Sequence, residues 1–260
     1  MHSRRRWIAL LALAAASCRP GGPPPPIPRE MTACVPPNAV LIAGARLDTI
    51  RASPIYAHLP VMVQEFLQPL KDATEVLATF DGGGILLIAR GHFREATPAA
   101  TLVPPDLMLS GPPALIEAAR TRLRSRAPVQ TDLLAQASAV ASGHAAWIAT
   151  RGGVPLPLTG DAENLTHLLR IANFATVGLR LESTATAIDF DAQCATPDSA
   201  SNLEETLRAF LSLSAVGLRR QPDLAEALRS AQVRREGATV HASISASPEA
   251  ITRLLDFLRR

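Results

Sequence analysis

The sequence predicts an α+β fold: two loosely repeated lobes, each running strand, helix, hairpin, helix on antiparallel strands, behind a signal peptide and a proline-rich tether. Three observations predict it. Strand-like runs come in pairs across tight turns, as at Asp81-Gly82-Gly83-Gly84 and Glu182-Ser183-Thr184, which is the grammar of antiparallel hairpins. Helical periodicity appears between these pairs and not after every single strand, which argues against a doubly wound parallel sheet. The same order then occurs twice, with a boundary expected near residues 127–131. The alternative is one continuous sheet shared by both halves.

In the first half, Val40-Leu41-Ile42-Ala43 is a short apolar run bounded by Pro36-Pro37-Asn38, as a buried strand requires. Asp48 can cap a helical stretch, and Ser53-Pro54 is a second helix start, with Ser as N-cap and Pro in the first turn. Pro60 and Pro69 keep the helices here short. Residues 76–80 and 85–90 flank the glycine turn as a hairpin, because glycine supplies the positive φ the turn needs. A strand at 107–109 precedes Ser110-Gly111-Pro112-Pro113, which opens a helix to about Arg124 with Leu115, Ile116, Ala119 and Leu123 on one face.

In the second half, helices are expected near 132–141 and 164–171, with a strand at 145–149 between them. Residues 176–181 and 185–190 form the second hairpin, where Val177, Leu179 and Leu181 alternate with smaller or polar residues. Ser201-Asn202-Leu203-Glu204 is a capping box ahead of Leu203, Leu207, Phe210, Leu211 and Leu218. Pro222 restarts a shorter helix. Val240, Ala242, Ile244 and Ala246 alternate with His241, Ser243 and Ser245 as a half-buried strand. Ser247-Pro248 caps a last helix striped with Ile251, Leu254, Leu255 and Leu258.

The N-terminus reads as an address. Arg4-Arg5-Arg6 precedes an apolar run from Trp7 to Ala16, and Ala15-Ala16-Ser17-Cys18 closes it. A membrane span needs roughly 20 apolar residues, so this run suits a secretory signal peptide instead. The small residues before Cys18 resemble the lipobox of bacterial lipoproteins, in which the cysteine becomes the first mature residue and carries acyl chains. Ala15 stands where that motif most often has Leu. Ser3-Arg4-Arg5-Arg6-Trp7-Ile8 also has some likeness to a twin-arginine export signal. The alternative for Cys18 is an incidental cysteine in an ordinary signal peptide. The expected organisation is therefore 1–17 signal peptide, 18–35 lipidated cysteine and tether, 36–128 N-terminal lobe and 129–260 C-terminal lobe. The prolines between Pro20 and Pro28 favour an extended polyproline spacer, giving the tether through Val35 a reach on the order of 50 Å. Cys34 and Cys194 remain in the exported part, where an oxidising compartment would permit one bridge between them.

The formal net charge of +3 is misleading. Loss of residues 1–17 lowers Lys+Arg from 26 to 23, equal to Asp+Glu, so the mature chain is neutral and lacks the clustered positive charge that nucleic acid requires. Aromatic residues are only 4%, which leaves few stacking platforms for single strands.

No catalytic residue, metal site or cofactor site is assigned. The glycine loop at 82–84 lies between two strands, whereas a phosphate loop leads into a helix. His58, His92, His144, His167 and His241 have no zinc-ligand spacing, although His92, beside Arg94 and Glu95, is the first histidine to inspect. Asp161 and Glu163 are near neighbours in a Gly/Pro-rich loop, where turn and cap roles predominate. Arg120, Arg122, Arg124 and Arg126 are expected on a solvated helix face, with anionic lipid heads as the alternative.

The opening Val35-Pro36-Pro37-Asn38-Ala39-Val40-Leu41-Ile42-Ala43, through Leu47 and Ser53-Pro54, resembles that of a loose group of uncharacterised exported bacterial proteins built from α+β units. The helix around Leu203–Arg208 and the closing strand and helix fit the same style. The resemblance implies fold and location, with no activity to carry over. The functional expectation is a non-catalytic protein, anchored to a membrane through an N-terminal lipid in the periplasm or at the cell surface. It acts in binding, scaffolding or envelope assembly with an envelope protein as partner and no nucleic acid. The alternatives are an envelope hydrolase with an unfamiliar site, which would gather His, Asp and Ser within hydrogen-bond reach, or a carrier of an apolar ligand held between the lobes.

Overall fold

The structure, a computed structural model, describes residues 26–59, 61–94, 100–103, 106–125, 129–153, 171–218 and 221–258. Its first element is one the sequence did not reveal. The Pro28 carbonyl accepts from the N–H groups of Met31 and Thr32 at 3.0 Å and starts α1 (Arg29–Cys34). Pro36 and Pro37, which lack N–H groups, prevent its continuation. Ile27, Met31, Cys34 and Val35 all enter the core. The expected extended tether through Val35 is corrected accordingly. Burying a large apolar side chain contributes about 1.5–3 kcal/mol, enough to draw these residues onto the sheet.

The chain continues through β1 (Leu41–Arg46), α2 (Leu47–Ala52), a 3-10 turn at Pro54–His58, α3 (Val61–Leu67) and a 3-10 turn at Gln68–Leu70. Next come β2 (Ala73–Phe80), β3 (Ile85–Gly91), β4 (Ala100–Val103), β5 (Leu107–Ser110), α4 (Pro113–Ser125) and α5 (Asp132–Ala141). The second half contains β6 (Ala146–Arg151), β7 (Ala172–Leu181), β8 (Thr186–Cys194), α6 (Pro197–Gly217) and α7 (Pro222–Arg229). It ends with β9 (Gln232–Glu236), β10 (Thr239–Ala246) and α8 (Pro248–Leu258). The expected helix near 164–171 falls almost wholly outside the described residues.

The ten described strands form one sheet in the order β4-β5-β3-β2-β1-β6-β7-β8-β10-β9, and neighbouring strands are antiparallel throughout. The first five strands and the last five follow the same internal order. They join where β1 pairs with β6, Gly44 opposite Trp147. The sheet is thus continuous across the two halves. β1 is apolar on both faces, so it is stable as an interior strand and unsuited to an edge. β9 at one edge, Gln-Val-Arg-Arg-Glu, carries the charge that discourages further pairing.

The two faces are covered differently. On one face α1, α4 and α5 pack over β5 to β6, joining Met31, Ala119, Leu133 and Ala137 to Ile42, Leu77, Ile88 and Leu109. On the other face, α2 and the 3-10 turns cover Ala73, Ala89 and Met108 with Leu47, Ile50 and Leu70. Further along that face α6 sets Leu203 and Leu207 against Ala175, Ala192 and Val240, and α7 and α8 add Leu224, Leu228, Ala250 and Leu254. A His58–Glu249 contact of 2.9 Å links the first 3-10 turn to α8.

Local signals behave mostly as expected. Asp81 Oδ1 accepts from Gly83 and Gly84 N–H at 2.9 and 3.0 Å, and Gly82 takes φ +94°, so the glycine loop is a hairpin turn. Thr131 Oγ1 accepts from Leu134 N–H at 3.1 Å to cap α5. Ser247 Oγ caps α8 through Ala250 N–H at 3.3 Å. Two caps differ in detail. Ser53-Pro54 does open a helix, the 3-10 turn at Pro54–His58 with Ser53 as its N-cap residue, but the Ser53 Oγ donates back to the Ile50 carbonyl at 2.8 Å and closes α2 instead of capping the new turn. The box at Ser201–Glu204 lies inside α6, which begins earlier because Thr196 Oγ1 accepts from Ser199 N–H at 3.1 Å and Pro197 stands in the first turn, where its fixed φ is already helical.

Candidate functional site

Cys18 lies outside the described residues. Cys34 and Cys194, the pair that sequence left open to a bridge, are both free and buried, and they sit in different apolar clusters. Cys34 ends α1, where the Arg122 guanidinium donates to its carbonyl at 2.7 Å. Burial pushes its thiol pKa up to about 11, against the opposing pull of Arg122. Burial also raises the Cys194 thiol. Both are packing residues held as neutral thiols.

The other sequence candidates disperse. His92 is exposed, and its backbone N–H donates to the Asp72 carbonyl at 3.0 Å. Asp161 and Glu163 lie outside the described residues, as does Arg126. Arg120 and Arg124 both pair with Glu117, at 3.2 and 3.0 Å, as a solvated helix face would. Arg122 departs from that expectation by turning inward onto α1. Among the described residues no group of His, Cys, Asp and Glu could hold a metal ion.

The structure does assemble one His, Asp and Ser cluster, and it forms on the sheet's second half. A row of directly opposed residues crosses one face from Gly44 to Trp147, Gly178, Asp189 and Ser243. Its first half is covered by helices; from β8 onward it is polar. The His144 ring, at the end of α5, lies against Gly178, where any Cβ would overlap it. His144 Nδ1 donates to the Val140 carbonyl at 2.7 Å, and Nε2 meets Asp189 Oδ2 at 3.0 Å. Ser243 Oγ donates to Asp189 Oδ1 at 2.6 Å, and Arg180 pairs with the same carboxylate at 3.2 Å. Two residues along each strand, on the same face, His241 pairs with Asp191.

This cluster has the composition of a hydrolase triad but different wiring. Nucleophilic catalysis needs the serine hydroxyl bonded to a histidine nitrogen that can take its proton. Here the Ser243 hydroxyl goes to Asp189, and both His144 nitrogens are occupied by other acceptors. The cluster therefore ties the end of α5 to β7, β8 and β10. Nothing in the linear spacing of His144, Asp189 and Ser243 joins them. The available signal was that Asp189 and Asp191 interrupt the apolar character of β8 at i, i+2, as His241 and Ser243 do on β10.

The other feature is apolar. From Ala209 to Leu218, α6 carries no charged residue. Its inner positions Leu207, Ala215 and Leu218 are buried, while Phe210, Leu213 and Val216, three residues apart on the outer side, are 36%, 73% and 51% exposed. Ridges three apart share one helix face, so the stripe is continuous. Beside it, α6 and α7 enclose two adjoining open clefts that share Ser212 and Arg229, of about 310 and 470 Å³. Leu211, Ala215, Leu228 and Val233 contribute apolar walls. A separate depression beside Ile27, Met31 and Trp147 measures only about 20 Å³, room for a single water.

An α+β protein of one large antiparallel sheet, helices on both faces and an open cleft beside an apolar helix stripe is the class these features define. Solved structures of TP0453 share the fold. Its crystal form I matches with a TM-score of 0.56 at 10% identity, covering 88% of this chain and 98% of that one. Crystal form III matches with a TM-score of 0.56 at 9% identity, covering 87% and 97%. Crystal form IV gives 0.51 at 10% identity, covering 86% and 95%. No protein-family model and no curated protein matches the chain.

Proposed function

We propose that this is an exported, lipid-anchored, non-catalytic binding protein that holds an apolar ligand in the cleft between α6 and α7. The observation that carries the reading is the uncharged second half of α6, which leaves Phe210, Leu213 and Val216 exposed beside a cleft with apolar walls. A soluble helix normally shows a charged or polar outer face, and one with an apolar stripe there has a further surface to cover. The cleft is open and lies within the second half, not between two lobes, so the ligand would sit against a surface groove.

Export and anchoring rest on the motif at Cys18. With α1 beginning at Arg29 and Ile27 buried, the spacer available runs from Arg19 to Pro26, with an extended reach on the order of 25 Å. That would keep the sheet close to the membrane that carries the lipid. Residues 36–128 and 129–260 would then act as one rigid body, the division between them marking a repeat of topology more than a hinge. No described helix is long and apolar enough to cross a membrane.

The test is saturable binding of a hydrophobic fluorophore, such as N-phenyl-1-naphthylamine, to the mature chain carrying Cys18→Ser. Binding should be lost in Val216→Asp and retained in a variant of the polar row, Ser243→Ala. Absence of saturable binding, or equal binding by Val216→Asp, sinks the reading. A docking surface for an envelope protein is the second reading, favoured by the 73% exposure of Leu213. Crosslinking from that position to one dominant protein would support it.

A further inference from the structure

The cleft is not uniformly apolar, and its charged groups among the described residues are of one sign. Arg208 and Arg229 line it together with Ser212, and among the described residues neither cleft is lined by an Asp or Glu. The two arginines are differently committed. Arg208 donates to Glu204 Oε1 at 2.8 Å and to the Val233 carbonyl. Its hydrogen bond holds the Glu204 carboxyl below its ordinary range, so the Arg208 charge is already matched. Among the described residues Arg229 donates only through Nε, to the Ala225 carbonyl one turn back at 3.0 Å. The remaining guanidinium N–H groups have no carboxylate partner among the described residues.

Arg229 also belongs to both clefts, standing where they adjoin. An apolar wall rich in aliphatic side chains suits a hydrocarbon chain. A planar guanidinium with free donors at its side suits a carboxylate, which it can hold through two parallel N–H···O bonds. Taken together, the geometry points to a single-chain anionic amphiphile, a long-chain carboxylate, as the ligand. Its hydrocarbon would lie along Leu211, Ala215 and Val216, and its head group would pair with Arg229. This rests on the apolar-ligand reading above and specifies its chemistry.

The experiment compares oleate with oleyl alcohol, which has the same chain and a neutral head, as competitors of the fluorophore on the mature Cys18→Ser chain. Oleate should bind more tightly than the alcohol by about tenfold, the contribution expected of one charge-assisted contact. Arg229→Gln should remove that preference, so that oleate and the alcohol compete equally, and Arg229→Lys should restore part of it. Arg229 is exposed, so these variants should fold normally, which far-ultraviolet circular dichroism checks. Equal binding of acid and alcohol by the unaltered chain overturns the head-group assignment and leaves the apolar-ligand reading standing. Binding of neither overturns both. Co-sedimentation with vesicles containing phosphatidylglycerol, without binding of monomeric oleate, overturns the inference in favour of a lipid surface.

Discussion

His144 Nε2 lies 3.0 Å from Asp189 Oδ2, joining the loop after α5 to the middle of β8. Burial alone would raise the Asp189 pKa, but the Ser243 hydroxyl, the His144 ring and the Arg180 charge outweigh it and leave the carboxyl below its ordinary value. Its folded-state pKa is therefore lower than its unfolded-state value near 3.8. The resulting stability is fully present above that pH and is lost as pH falls through the folded-state value. Asp189→Asn should lower stability at neutral pH by about 1–3 kcal/mol. Urea unfolding across pH should show this gap narrowing below pH 3.8; a gap of constant size would contradict the linkage.

Gly44 and Gly178 flank Trp147 in the cross-strand row, and each makes room for a ring: the Trp147 indole over Gly44 and the His144 imidazole over Gly178. Gly44→Ala should destabilise by about 1–3 kcal/mol through overpacking. Trp147 is the only tryptophan once residues 1–17 are removed and is buried. Its emission should therefore shift to the red in Gly44→Ala if the ring is displaced. Unchanged stability and emission together would show that the indole is not seated there.

The two thiols offer a chemical check. Thiolate is the reactive form, and Cys34, with its pKa near 11, and Cys194 are both buried. Iodoacetamide at mildly alkaline pH should modify neither in the folded chain and both after denaturation. Rapid native labelling would contradict their burial. Failure to label unfolded, unreduced protein would show a bridge.

Leu213 points away from the core, so Leu213→Ser should change stability by no more than about 0.5 kcal/mol. A large stability loss would mean that this position is covered within the molecule, and a chemical melt decides between the two.

Much of the element order was legible in sequence. The 132–141 helix, the glycine hairpin and the alternating strand at 239–246 follow from period and turn chemistry, which neighbouring residues settle among themselves. The short elements were not. β4 is four residues long, β9 has one apolar residue among charges, and α1 lies beside prolines that favour extension. Each is stabilised by what it packs or pairs against, not by its own propensity.

The sequence by itself determined which residues pair locally across turns, which helix faces are apolar, and that no familiar catalytic spacing is present. Only the tertiary structure decided that β1 and β6 fuse both halves into one sheet. It also decided that Asp189, Ser243 and His144 meet, and that α6 keeps an apolar stripe outside. Periodicity tells which face of an element is apolar. What covers that face depends on register and packing summed over distant segments, and no local pattern encodes that sum.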